Sequence, residues 1–140
     1  MGQIVIVYYS ETGNTEAMAN MVAKGVEAAG ATAKIVSVDG FDAAELKDEA
    51  AFALGCPAMG DEVLEEGTME PFVEEVAKFA AGKKIGLFGS YGWGDGEWMR
   101  TWEESCKNDG AELVCDSVIC ADAPDDEAEA ACIALGKALC

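Results

Sequence analysis

Three stretches of this chain are apolar without interruption: Ile4-Val5-Ile6-Val7-Tyr8-Tyr9, Ala51-Phe52-Ala53-Leu54-Gly55 and Ile85-Gly86-Leu87-Phe88-Gly89. A strand with one wet face alternates apolar and polar residues. A continuous run needs cover on both faces, which is the situation of a strand inside a parallel sheet. Helical patterns fill the intervals. From Asn14, the residues Met18, Met21, Val22, Val26 and Ala29 share one helical face, and Gly30 offers a stop. After Pro71, a residue tolerated in a first turn, Phe72, Val73, Val76, Ala77 and Ala80 do the same up to Gly82. Trp98, Met99, Trp102 and Cys106 mark a third helix, with both tryptophans placed as core residues. A fourth starts after Asp122-Ala123-Pro124-Asp125 and runs to the C-terminus.

Ala33 to Val38 has the polar content of an edge strand, and Leu113 to Cys120 is the last strand region. Phe41 to Glu49 fits one or two helical turns. Strands alternating with helices imply a parallel sheet with helices on both faces. Five strands in 140 residues suit a single α/β domain, 1–140, built as a three-layer sandwich.

Charge narrows the function. The chain has 27 Asp and Glu against 9 Lys and Arg, a formal net charge of −18. Phosphate contacts on nucleic acid need clustered cations, so nucleic acid is excluded as a partner. Basic protein surfaces fit instead, with solubility as the plainer use of the same charge. The acidic clusters Glu65-Glu66 and Asp125-Asp126-Glu127 are read as helix caps or solvated loop faces. No apolar run reaches membrane-spanning length. Met1-Gly2-Gln3 gives no basic leader, and Ile6 stands where a myristoylation signal needs Ser or Thr. A cytoplasmic protein is expected. Six cysteines form no CxxC pair, and there is no histidine, so neither zinc nor an iron–sulfur cluster is expected. Most of the thiols are expected to act as small core residues.

In an open parallel sheet, ligands bind beyond the carboxyl ends of the strands. Three loops in that position have unusual composition. The first is Ser10-Glu11-Thr12-Gly13-Asn14-Thr15. Its glycine, its hydroxyls and the helix that follows can hold an anion through neutral donors alone, although an ordinary Ser or Thr N-cap explains the same residues. It is neither a Walker loop nor a GxGxxG fingerprint. The second loop is Met59-Gly60-Asp61-Glu62, where a soft Met can lie on an aromatic plane, or the segment can be a plain turn. The third is Ser90-Tyr91-Gly92-Trp93-Gly94-Asp95-Gly96, with aromatics on a glycine-rich loop that can stack on a flat ligand or fold onto their own surface. Taken together, the loops describe a phosphate at one end and a flat ring between Met59 and Trp93 at the other. FMN fits that description.

These three motifs, in this order and over the whole length, resemble those of the flavodoxins, in particular the short-chain flavodoxins of anaerobic bacteria. Flavodoxins are themselves the standard example of strand order 2-1-3-4-5, so that order comes here from the resemblance. The resemblance further implies that Ser10, Glu11, Thr12, Gly13, Asn14 and Thr15 hold the FMN phosphate. Met59 and Trp93 would cover the inner and outer faces of the ring. Glu62 would bond the N3 edge, and backbone from Ser90 through Tyr91 and Gly92 to Trp93 would meet the pyrimidine end. Pro57, Ala58 and Asp122 would line the site, although Pro57 lacks the N–H that a smaller residue brings in some relatives. The Gly60–Asp61 peptide would turn over on reduction and stabilise the semiquinone. A low-potential one-electron carrier is implied, cycling between semiquinone and hydroquinone, without substrate turnover of its own. It would be a monomer serving redox enzymes with basic docking surfaces, such as ferredoxin-linked oxidoreductases and flavodoxin reductases. The rival is a small FMN-dependent NAD(P)H or quinone reductase, which usually carries added loops. A response-regulator receiver lacks its phospho-acceptor here, since Gly55-Cys56 occupies that place. A flavin-free interaction module leaves Met59 and Trp93 unexplained.

Overall fold

The computed structural model describes residues 2–10, 13–59, 65–92 and 96–140. Strands β1 (Gln3–Tyr8), β2 (Thr32–Ser37), β3 (Ala51–Gly55), β4 (Lys84–Tyr91), β5 (Glu112–Leu113) and β6 (Val118–Ala121) alternate with helices α1 (Asn14–Ala28), α2 (Met69–Ala77), α3 (Glu97–Asn108) and α4 (Asp126–Ala138). The sheet is parallel, in the order β2-β1-β3-β4-β5, with β6 also paired to β4. β5 and β6 are two pieces of the expected fifth strand. β5 pairs with the start of β4 at Lys84 and Ile85, and β6 with its end from Phe88 to Tyr91. The break is held from α3: the Glu103 carboxylate accepts the Ser117 hydroxyl at 2.7 Å and the Ser117 N–H at 3.3 Å.

The period of two along each strand explains the unbroken apolar runs. Ile4 and Ile6 of β1 point into one layer, with Met18, Val22 and Val26 of α1 and Cys132 and Leu135 of α4. Val5 and Val7 point into the other, with Phe72 and Val76 of α2 and Trp98 and Trp102 of α3. Among the described residues, β2 pairs with β1 alone, and it is mostly exposed, as its polar residues require.

Phe41 to Glu49 contains a single 3-10 turn, Ala43–Leu46, capped by the Asp42 carboxylate on the Ala44 N–H at 2.9 Å. α2 ends at Ala77, earlier than its apolar pattern suggests, and the chain continues in turns to Gly82. Cys56, Cys106 and Cys132 are buried as expected of core thiols, whereas Cys115 and Cys140 are exposed and Cys120 is intermediate. Among the described residues, no helix is long and apolar enough to cross a membrane.

α1 and α4 cross at glycines. A Cβ on Gly136 would sit 2.1 Å from the Val22 carbonyl oxygen, and one on Gly25 would sit 2.0 Å from the Ile133 carbonyl oxygen. Both neighbours are backbone and cannot swing away. Gly136→Ala is therefore expected to destabilise the protein by about 2 kcal/mol or more in urea unfolding, because the overlap outweighs the roughly 1 kcal/mol gained in helix propensity. Gly2→Ala, which meets open space, is expected to leave the midpoint unchanged.

Candidate functional site

The sheet's hydrogen bonding does not stop where the strands end. Tyr9 donates its N–H to the Gly55 carbonyl at 2.9 Å, and Cys56 donates to Phe88 at 3.1 Å. Ala58 donates to Ser90 at 3.0 Å, and Asp122 to Tyr91 at 2.8 Å. The loops after β1, β3, β4 and β6 are thus laid side by side at one edge.

In the first loop the N-cap of α1 is Gly13, at φ 92°, and not a serine or threonine. Glycine takes this left-handed conformation without a steric cost. It supplies no capping side chain. The first intrahelical bond runs from the Ala17 N–H to the Gly13 carbonyl at 2.9 Å, so the N–H groups of Asn14, Thr15 and Glu16 have no intrahelical acceptor. Ser10 folds the loop by accepting the Gly13 N–H at 3.1 Å. Thr15 is buried, and its hydroxyl lies 3.5 Å from that of buried Ser90, which joins the first loop to the third. Behind the loop, the Tyr8 hydroxyl donates to the Glu16 carboxylate at 2.8 Å. That bond, with some burial, raises the Tyr8 pKa above the ordinary phenol value.

A cavity of about 150 Å³ opens between the loops, lined by Asn14, Pro57, Ala58, Met59, Ser90, Tyr91, Gly92 and Asp122. Tyr91 is the last residue of β4 and not a loop aromatic. Its ring packs on Trp98, with centroids 5.6 Å apart and planes at 54°. Asp122 is the only non-glycine residue with positive φ (57°) among the described residues, a conformation Asp tolerates better than most. Its carboxylate oxygen stands 3.9 Å from where a Cβ on Gly92 would be. Glu11, Thr12, Gly60, Asp61, Glu62 and Trp93 lie outside the described residues. A larger concavity, about 590 Å³, runs along the sheet edge between β6 and α4, floored by Ala128, Ala131 and Ala134. Its lining reaches the last strand-end loop at Ala121 and Asp125 but, among the described residues, includes neither Thr15 nor Ser90, so its size does not make it the site.

The family model for flavodoxin matches residues 6–136. A flavodoxin of Clostridium beijerinckii is 50% identical over 132 residues, 94% of this chain and 95% of that protein. One of Megasphaera elsdenii is 44% identical over 135 residues, 96% of each. The solution structure of the two-electron reduced Megasphaera elsdenii flavodoxin superposes with a TM-score of 0.88 over 99% of this chain and 98% of that one.

The chain belongs to the flavodoxin family.

It is of the short-chain type, as the residue motifs imply. Members of this family are FMN-binding electron carriers, and FMN is the cofactor. The donor set here fits a flavodoxin's phosphate: a helix N-terminus left uncapped by its own glycine, with two buried hydroxyls beside it. No cation is needed for such a site.

Two residues that the motifs do not mark hold the second loop. Cys56, just after β3, accepts the Glu65 N–H on its sulfur at 3.5 Å and donates its S–H to the Pro57 carbonyl at 3.4 Å. Burial pushes its thiol up to about 12, so it stays protonated and remains a donor. The Glu65 carboxylate then accepts the N–H groups of Gly67, Thr68 and Met69 at 2.8, 2.7 and 2.8 Å. Burial pushes its pKa up, but these three bonds outweigh it and hold the carboxyl below its ordinary range. The pair Glu65-Glu66 signals a cap by composition; its reach over three N–H groups is visible only in the fold.

A depressed carboxylate pKa stabilises the fold above its unfolded value, and that stability is lost as pH falls through the folded value. Glu65→Ala is expected to cost about 1 kcal/mol at pH 7 in urea unfolding, the usual worth of a helix cap. The gap to the parent protein is expected to narrow as pH drops through the acid range below about 4, where the carboxylate protonates.

Proposed function

We propose that this flavodoxin-family protein is a low-potential one-electron carrier, working through the more reducing of its flavin's two one-electron couples and docking cavity-first on basic surfaces of redox enzymes. Bound FMN supplies the one-electron chemistry. The chain's own residues bind, orient and bias it. Asn14, Thr15 and Glu16 offer backbone N–H groups to the phosphate, Ser10 and Thr15 offer hydroxyls, and Ser90 and Ala58 present backbone and small side chains to the ring's edge. Glu11, Thr12, Gly13, Gly60, Asp61, Glu62 and Trp93 belong to the same proposed set, with Met59 against one ring face. Pro57, Tyr91, Gly92 and Asp122 line the pocket.

The observation that carries this reading is where the cations are. No Lys or Arg precedes Lys24, none lies between Lys47 and Lys78, none between Lys84 and Arg100, and none between Lys107 and Lys137. Each of the four strand-end loops falls in one of these gaps. Lys83 and Lys84 sit at the opposite edge, where β4 begins, and Lys107 and Lys137 at the ends of α3 and α4 that point the same way. Lys83 is bonded to the carbonyls of Lys47 and Glu49 at that edge. Arg100, in the first turn of α3, is the exception. The site edge is therefore the negative pole of the molecule. A carboxylate about 10 Å from the ring site would disfavour an added negative charge there by roughly 0.4 kcal/mol, or about 20 mV, and several carboxylates would add. The same pole steers encounter with basic surfaces on ferredoxin-linked oxidoreductases or flavodoxin reductases. A cytoplasmic monomer completes the proposal, and six free thiols suit a reducing compartment.

Stepwise anaerobic reduction with dithionite, followed in the visible spectrum, tests the reading. Two resolved one-electron steps are expected, with long-wavelength absorbance that rises and then falls. Bleaching in a single two-electron step would favour a quinone or NAD(P)H reductase. A colourless protein that takes up no FMN would remove the reading.

A further inference from the structure

Trp98 and Trp102 lie one turn apart on α3, in the same core layer, exposed by 1% and 2%. Their polar atoms differ. Among the described residues, the Trp102 indole Nε1 has no hydrogen-bond partner. The Trp98 Nε1 donates to the Cys56 carbonyl at 3.1 Å. A tryptophan in this layer can thus be buried as packing alone, and Trp98 is more than packing.

Its acceptor sits at a junction. Cys56 receives the indole on its carbonyl, is fixed to β4 through its own N–H, and ties Glu65 to Pro57 through its sulfur. Residues 56 and 65 flank the second loop on either side. The Trp98 ring also packs on Tyr91, at the root of the third loop. Gly89 makes room for the arrangement: a Cβ there would lie 2.1 Å from the Cys56 carbonyl oxygen and 3.2 Å from Trp98 Cζ2. A side chain at that position would displace the carbonyl the indole holds.

We propose that Trp98 is a positioning residue which, through the Cys56 carbonyl and the Tyr91 ring, clamps the roots of both ring-binding loops and so sets FMN affinity without touching the flavin. The inference rests on the assignment of these loops to the flavin under Proposed function. Trp102 supplies the control, since it shares the helix, layer and burial but not the bond.

The test compares Trp98→Phe with Trp102→Phe in the apoprotein. Three quantities are read: FMN affinity by quenching of flavin fluorescence, urea stability, and hydrogen exchange at the Ala58 N–H, which bonds Ser90 across the two loops. Trp98→Phe is expected to weaken FMN binding about fivefold, the worth of one net hydrogen bond, and to speed exchange at Ala58. Trp102→Phe is expected to leave both at parent values, whatever it does to stability. Equal FMN affinity in the two variants, with Ala58 exchange unchanged, would overturn the clamp and leave Trp98 a core residue. If Trp98→Phe does not fold, the parent protein decides. FMN is then expected to slow exchange of the Trp98 indole N–H and not that of Trp102, and no such difference would overturn the proposal. If the parent protein binds no FMN, the proposed function fails, and Ala58 exchange in Trp98→Phe alone decides the clamp: faster exchange supports it and unchanged exchange overturns it.

Discussion

Parallel registry at the carboxyl ends of β1, β3, β4 and β6 is the constraint on which the site depends. The bonds Tyr9–Gly55, Cys56–Phe88, Ala58–Ser90 and Asp122–Tyr91 carry the sheet's ladder past the strands and into the loops. Residues from Asn14 to Asp122 meet around one cavity because their backbones are still paired there. A loop held in this way needs little of its own stability. It also leaves fewer buried backbone groups to satisfy, so an apolar wall can stand next to an anion site. The core on either side of the sheet fixes the registry in turn, since a slip of one residue would exchange Ile4 and Ile6 with Val5 and Val7 between the two layers.

The electrostatic plan follows from the same geometry. The N-termini of α1 and α3 face the site edge, and the C-termini of the helices face away. Backbone dipoles therefore supply local positive potential at the start of α1, where Gly13 leaves the helix end uncovered and where the phosphate is proposed to bind. Nothing more is required of lysine or arginine, and the chain keeps most of them at the far edge. On the proposed function, a protein with a net charge of −18 would then hold an anionic cofactor and still offer a negative face for docking.

Much of this was legible in the chain. Unbroken apolar runs marked β1, β3 and β4, and Lys34 and Ser37 marked β2 as an edge. The spacing of Trp98 and Trp102 placed both in the core, and Asp125 was recognisable as a cap, which it is, on the Ala128 N–H at 2.8 Å. What stayed hidden depends on contacts that only the folded chain makes. The break between β5 and β6 is held by Glu103, and no local pattern near residue 115 announces it. Hydroxyls at Ser10 and Thr15 look like N-caps until Gly13 is seen to take that position. Tyr91 looks like a loop aromatic until its ring is seen against Trp98. Cys56 reads as a small core residue, and it is one, but its sulfur and carbonyl also close the second loop onto residues 9 and 42 positions further along the chain.

The central claim is that neutral donors at the start of α1 hold the phosphate, and binding of FMN and riboflavin to the apoprotein tests it most directly. Two or more charge-assisted hydrogen bonds separate the two ligands, so FMN is expected to bind about 100-fold more tightly or better. Comparable affinities for FMN and riboflavin would contradict the account, because the uncapped helix end and the buried hydroxyls of Thr15 and Ser90 would then have no anion to hold.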